Sequence, residues 1–229
     1  GGLVALPHLL QALKSPEREV RMAAAEATVA VGRPLLASLE SASRKAPDRE
    51  ALGWGQDLLD ELNTLCRHEE GSVRACAAGV LGRLAPQGHS ASLDVLLKCM
   101  VDPDSSTHSA ASKALVAVMG PQDRDRALEE LMGVLNNPKN APSTRTAAAD
   151  LVLREFGTPK AVRMMAGCLE LEDGSIRRLT EKTIAKMIQA MPESDDVWES
   201  VVEVALRVQS PSILTRRAAV DTLVGMAWG

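Results

Sequence analysis

The side chains that could do chemistry in this chain are few and scattered. Four histidines, His8, His68, His89 and His108, lack the spacing that metal ligands need. His68-Glu69 sets an imidazole beside a carboxylate, but one such pair cannot supply the several converging ligands that a metal centre needs. The dipeptide occurs once, and the corresponding positions read Glu17-Arg18, Pro103-Asp104 and Asp173-Gly174. Cys66, Cys76, Cys99 and Cys168 show no C-x-x-C spacing and read as buried thiols that behave as small hydrophobes. Free thiols imply a reducing compartment, cytosol or nucleus. Nucleophile-elbow, P-loop, dinucleotide and zinc-protease signatures are all absent from the sequence. The reading is a non-catalytic chain with no metal and no cofactor.

The basic residues, in contrast, recur in order. An apolar residue or Thr, then a base, opens at Val20-Arg21, Val73-Arg74, Thr107-His108, Thr144-Arg145, Ile176-Arg177 and Thr215-Arg216. Three residues after each base stands a small residue: Ala24, Ala77, Ala111, Ala148, Thr180 or Ala219. Seven after stand Thr28, Leu81, Leu115, Val152, Ile184 and Leu223. By subtraction the bases step along the chain by 53, 34, 37, 32 and 39 residues. Periods of that size mean stacked helical hairpins.

The elements that position these bases follow from apolar periodicity. Each unit has an amphipathic helix A, as in LPHLLQALK with Leu6, Leu9, Leu10 and Leu13, then a turn, then a helix B opened by the pattern above. Gly or Pro falls at every A–B joint, near residues 15, 71, 103, 140, 174 and 211. The expectation is an all-α, right-handed superhelix of about six hairpins forming one array over residues 1–229. Its repeats fall at about 3–32, 33–85, 91–120, 124–157, 159–190 and 195–229. The second contains an insert at 33–57, read as an extended first helix or an extra helix with a loop around Ser43–Asp48, with an incomplete, degenerate repeat as the alternative. Neither end shows a polar cap, so the chain reads as an excerpt of a longer protein.

Composition narrows the partners. A net charge of −4 and 2% aromatic residues disfavour nucleic acid, which calls for a basic surplus and stacking side chains. No apolar run approaches the roughly 20 residues that span a bilayer. The start, GGLVALPHLL, lacks a charged leader and breaks at Pro7, unlike a signal peptide.

The L-x-x-L-L-type A helices and V-R-x-x-A-x-x-x-L B helices resemble the HEAT-repeat family of armadillo-like superhelices, over almost the whole chain. The resemblance implies that Arg21, Arg74, Arg145, Arg177 and Arg216 form a structural ladder, bonding to acidic or carbonyl groups at neighbouring joints. It also implies that B helices line the inner face. Over eleven residues from each leading base, the B helices hold seven further bases and five acids. With Ile176, Leu179, Thr180, Thr183, Ile184 and Met187 in the core, Arg178, Lys182 and Lys186 share an outward stripe. Arg154 and Arg217 occupy comparable stripes in the flanking copies. These five are the candidate protein-binding residues, suited to an acidic peptide or protein surface. In the earlier copies Ala75, Ala78, Gly79, Gly82 and Ala117 are read as outward and featureless.

Two other classes are weighed. One is a structural part of a cytoskeletal or ciliary microtubule-associated assembly; HEAT-type tubulin binders read tubulin with basic and aromatic joints, whereas RHEEGS and EDGS here are acidic. The other is a HEAT-type iron hydroxylase or DNA-repair enzyme. The hydroxylase lacks its ligands, and a glycosylase would need aromatic residues gathered at a basic groove. Trp54, Trp198 and Trp228 are far apart in sequence, with Trp198 read as core.

Overall fold

The computed structural model describes residues 2–41, 49–191 and 195–228. Those residues form twelve α-helices with short 3-10 turns and no strand. The A helices are α1 (Gly2–Ala12), α3 (Arg49–Leu65), α5 (Ser90–Cys99), α7 (Arg124–Asn136), α9 (Pro159–Gly167) and α11 (Asp195–Ala205). The B helices are α2 (Arg18–Ser41), α4 (Gly71–Leu84), α6 (Ser105–Val118), α8 (Pro142–Glu155), α10 (Gly174–Ala190) and α12 (Ile213–Trp228). The architecture is all-α, with helices paired in the manner of a HEAT or armadillo array.

Local chemistry sets the helix starts. Asp104 accepts bonds from the amides of Ser106 and Thr107, and Asp173 from those of Ser175 and Ile176, so each caps the helix that follows it. Such a cap contributes about 1 kcal/mol. Pro142 and Pro159 take first-turn positions where their missing N–H costs no helical bond. Gly71 and Gly174, which the sequence marks as turn residues, are the first residues of α4 and α10.

The chain divides into two compact units, Gly1–Arg124 and Asp125–Gly229. In the first, α2, α4 and α6 lie side by side, with α1, α3 and α5 packed against them. Leu13, Leu62, Leu81, Leu93 and Leu96 are among its fully buried side chains. In the second, α10 packs between α8 and α12, while α9 packs on α11. Leu131, Leu135, Val152, Met165, Ile184 and Val204 are buried there. The small residues of the repeat, Ala24, Ala77, Ala111, Ala148, Thr180 and Ala219, are all buried, as close helix approach demands. Thr28, placed where leucine is usual, is also buried; its hydroxyl donates to the Ala24 carbonyl at 2.7 Å.

Three local expectations need correction. Pro7 lies inside α1 and does not end it, although proline has no N–H to donate back along the helix. The first repeat does not end at residue 32: α2 continues through Pro34 to Ser41, and α3 starts at Arg49. Both flanking helices thus take up parts of the insert, while the loop around Ser43–Asp48 lies outside the described residues. Finally, Ala78 and Gly82 do not face outward. Ala78 is buried, and a Cβ on Gly82 would stand 2.6 Å from the Cα and Cβ of Ala114, so α4 and α6 meet backbone to backbone.

Candidate binding surface

The arginine that opens a B helix folds back onto its own joint. Arg21 Nη1 donates to the carbonyls of Ser15 (2.7 Å) and Pro16 (2.8 Å). Arg74 Nη1 donates to those of His68 and Glu69, both at 2.7 Å. Arg216 Nη1 reaches Ser210 (2.9 Å) and Pro211 (3.0 Å), and Arg177 Nη1 reaches Leu171. In all four the acceptor lies five or six residues before the arginine. These carbonyls belong to the end of the A helix and its turn, where helical N–H partners run out. The planar fork of arginine suits two acceptors at once.

Two of the leading arginines, Arg74 and Arg145, reach the next joint. Arg74 Nε and Nη2 hold both oxygens of Asp102 at 2.7 Å, with side-chain exposures of 13% and 10%. Arg145 Nη1 donates to Asp173 Oδ2 at 3.1 Å. Each carboxylate stands 28 residues after its arginine. The Ser175 hydroxyl and the Ser175 and Ile176 amides hold the Asp173 carboxyl well below the usual carboxylate range, with Arg145 adding to the effect. Thr107 Oγ1 adds a further bond to the Gly71 carbonyl at 3.0 Å. His108, standing where the other copies carry arginine, is buried with no partner for Nδ1.

Arg154, Arg178, Lys182, Lys186 and Arg217 are all exposed. On α10 the opposite side is core: Ile176, Thr180, Thr183, Ile184 and Met187 are buried and Leu179 is half-buried. Arg178 and Arg217 hold equivalent places on α10 and α12, one residue after the leading arginine. With Arg177, Glu181 and Asp221 they line a cleft of about 310 Å³ between the two helices. Beyond the cleft, Gln189 Nε2 of α10 donates to the Gly225 carbonyl of α12 at 2.9 Å.

Carboxylates share this surface. Arg217 Nε lies 3.7 Å from Asp221 Oδ2, an exposed pair of the kind that contributes little. Burial, followed by the charge of Asp221, raises the pKa of Glu181 against the opposing pull of Arg177, Arg178 and Arg217. The sequence counts Glu181 and Asp221 among the acids of the B helices, but their shared cleft depends on how α10 meets α12. The five bases therefore stand in a mixed field, with the acids concentrated beside Arg178 and Arg217.

Trp198 is 70% exposed, contrary to its reading as core, because the buried side of α11 is the one bearing Ser200 and Val204. All four cysteines are free; Cys66, Cys99 and Cys168 are buried and Cys76 is half-buried. Burial raises the Cys168 thiol to about 11. His89 caps α5 and His68 Nδ1 accepts the Glu70 amide, so both imidazoles serve local turns. Among the described residues no group of three or more His, Cys, Asp or Glu could hold a metal ion. No described helix is long and apolar enough to cross a membrane.

The comparisons agree with this architecture. Residues 5–33, covering most of α1 and much of α2, match the family model of the HEAT repeat. A structure described as "Structural Basis of Microtubule Plus End Tracking by XMAP215, CLIP-170 and EB1" is 16% identical, with a TM-score of 0.53, over 94% of this chain and 88% of that one. Another, "TOG-tubulin binding specificity promotes microtubule dynamics and mitotic spindle formation", is 15% identical, with a TM-score of 0.51, over 93% and 81%. A designed armadillo repeat protein in complex with the peptide (KR)4 is 13% identical over 96% and 99%, at a TM-score of 0.45. No curated protein matches the sequence. The fold is that of a HEAT/armadillo-like array of helical hairpins.

Proposed function

We propose that this chain is a non-catalytic protein–protein interaction scaffold of a reducing compartment, and that the exposed side of α8, α10 and α12 receives an acidic peptide or protein surface. The observation that carries the reading is the cleft between α10 and α12, which sets Arg178 and Arg217 on facing helices, with Lys182 and Lys186 continuing along α10. Two guanidiniums flanking an open cleft can each offer a carboxylate paired donors. Exposed lysines alongside add long-range attraction that raises association rates and weakens as salt screens it.

The test is titration of a fluorescein-labelled deca-glutamate peptide into wild type and an Arg178→Glu/Lys182→Glu variant, with helicity measured in both. Wild type binds, more weakly at higher salt, and the variant loses about tenfold or more in affinity, or roughly 1.4 kcal/mol. Equal affinity in the two proteins would leave the strip a solvated face and the proposal wrong.

A second reading is a structural place in a microtubule-associated assembly. It is supported by the fold likeness to the two structures described in terms of tubulin and microtubule ends. Exposed Glu69, Glu70, Glu170 and Glu172 near the joints oppose direct docking of those joints on an acidic tubulin surface. Co-sedimentation of the isolated chain with microtubules would favour this reading over the first.

A further inference from the structure

A second, chemically different recess lies on the A-helix side of the first unit. Leu6 and Leu10 of α1 face Trp54 and Leu58 of α3 across an open groove of about 320 Å³. Leu6 and Leu58 are buried at its floor, whereas Leu10 and Trp54 are half-buried at its mouth. Trp54 belongs to the irregular stretch that lengthens the first repeat step, so the insert contributes a wall of the groove. In a chain with 2% aromatic residues, a partly exposed indole beside leucines is a conspicuous apolar contact.

The gap between A helices is handled differently in the second unit. There, Arg163 of α9 bridges to Glu199 and Glu203 of α11, and Lys160 of α9 reaches Asp125 of α7 at 2.8 Å. Between α1 and α3 the ion pair Lys14–Glu61, at 3.7 Å, crosses one end and leaves the apolar stretch beside it open. Asp57 shares the rim with Glu61. Two carboxylates against Lys14 leave this rim with a net negative charge around an apolar floor.

We propose that the α1–α3 groove is a docking site for a partner segment that inserts a bulky aliphatic side chain between Leu10 and Trp54 and sets a Lys or Arg against Asp57 and Glu61. Such a site rests mainly on the burial of one leucine-sized side chain, because exposed ion pairs at its rim add little. The groove alone is thus a weak site, of the kind that gains strength when a partner also engages a second surface.

The test uses a Trp198→Phe/Trp228→Phe protein, in which Trp54 is the sole indole, and follows its emission. The probes are the acetylated, amidated tetrapeptides Lys-Leu-Leu-Lys, Glu-Leu-Leu-Glu and Lys-Ser-Ser-Lys. The first shifts Trp54 emission saturably in the millimolar range, and the other two bind at least about fivefold more weakly. Asp57→Asn/Glu61→Gln, checked for unchanged helicity, weakens the first peptide by about fivefold and removes its advantage over the acidic one. Arg178→Glu/Lys182→Glu leaves the groove's affinity unchanged, which separates this site from the α10–α12 strip. Equal responses to the two leucine peptides, or no saturable response to Lys-Leu-Leu-Lys, would overturn the proposal.

Discussion

The pairs α4–α6 and α10–α12 hold the same place in their units, as neighbouring B helices, yet one closes into a seam and the other opens into a cleft. Along α4 the residues after Arg74 include Gly82 and the buried Ala78, and at Gly82 there is no room even for a methyl group against Ala114 of α6. Along α10 and α12 the comparable stretches carry Arg178, Glu181, Arg217 and Asp221, whose charged ends must stay hydrated. The joints differ as well. Arg74 finds Asp102 at the next joint, whereas Arg177 bonds back to Leu171 and the joint after α11 reads Gln-Ser-Pro-Ser. Side-chain length at a few repeat positions decides whether adjacent hairpins close into core or leave an open cleft, while the hairpins themselves stay alike.

The largest expected effect that tests this contrast lies at the leading arginines. Arg74→Ala strands a nearly buried Asp102 and should cost about 3 kcal/mol. Arg177→Ala removes a bond to a carbonyl and should cost about 1 kcal/mol. Urea denaturation of the two variants measures both; equal losses would show that the tie to the next joint is not what tightens α4 against α6.

Next come the glycines. Gly82→Ala pushes a methyl group to 2.6 Å from Ala114 backbone and should destabilise by about 1–3 kcal/mol despite better helix propensity. Gly225→Ala meets Ala185 Cβ at 3.5 Å, an ordinary contact, and should stabilise by up to about 1 kcal/mol. A thermal midpoint that falls in both variants would mean α10–α12 is packed as tightly as α4–α6.

The smallest effect is the pH response of Glu181. Its folded-state pKa is raised, so ionisation costs stability above that pKa and the cost vanishes below the unfolded value. Glu181→Gln should therefore raise stability slightly at neutral pH and leave it unchanged in acid. An acidic peptide should also bind wild type more tightly as pH falls and Glu181 loses its charge. A pH-independent difference between wild type and variant would place Glu181 outside the cleft's electrostatics.

The contrast also explains what the sequence makes legible. The hairpin class was readable because period, small residues and Gly or Pro joints are local signals, and capping residues such as Asp104 and Asp173 act within one turn. The exposure of an individual side chain was less so. Ala78 and Gly82 are hidden by the approach of α6, and Trp198 is exposed by the rotation of α11, neither of which is written within the helix concerned. The carboxylates reached by Arg74 and Arg145 did carry a signal, a fixed offset of 28 residues, that a search for local motifs passes over. Glu181 and Asp221 could be counted from sequence, but their meeting in one cleft belongs to the packing of two helices.

The carbonyl bonds of the leading arginines bear on how such a chain is made. They close over five or six residues, so a hairpin can secure its own turn soon after its second helix begins to emerge during synthesis. The Arg–Asp ties wait for 28 more residues, about the length of the next hairpin. Contacts this local favour rapid folding. A ribosome translating this chain would therefore release it as a succession of nearly finished steps, each needing only its immediate successor to be locked.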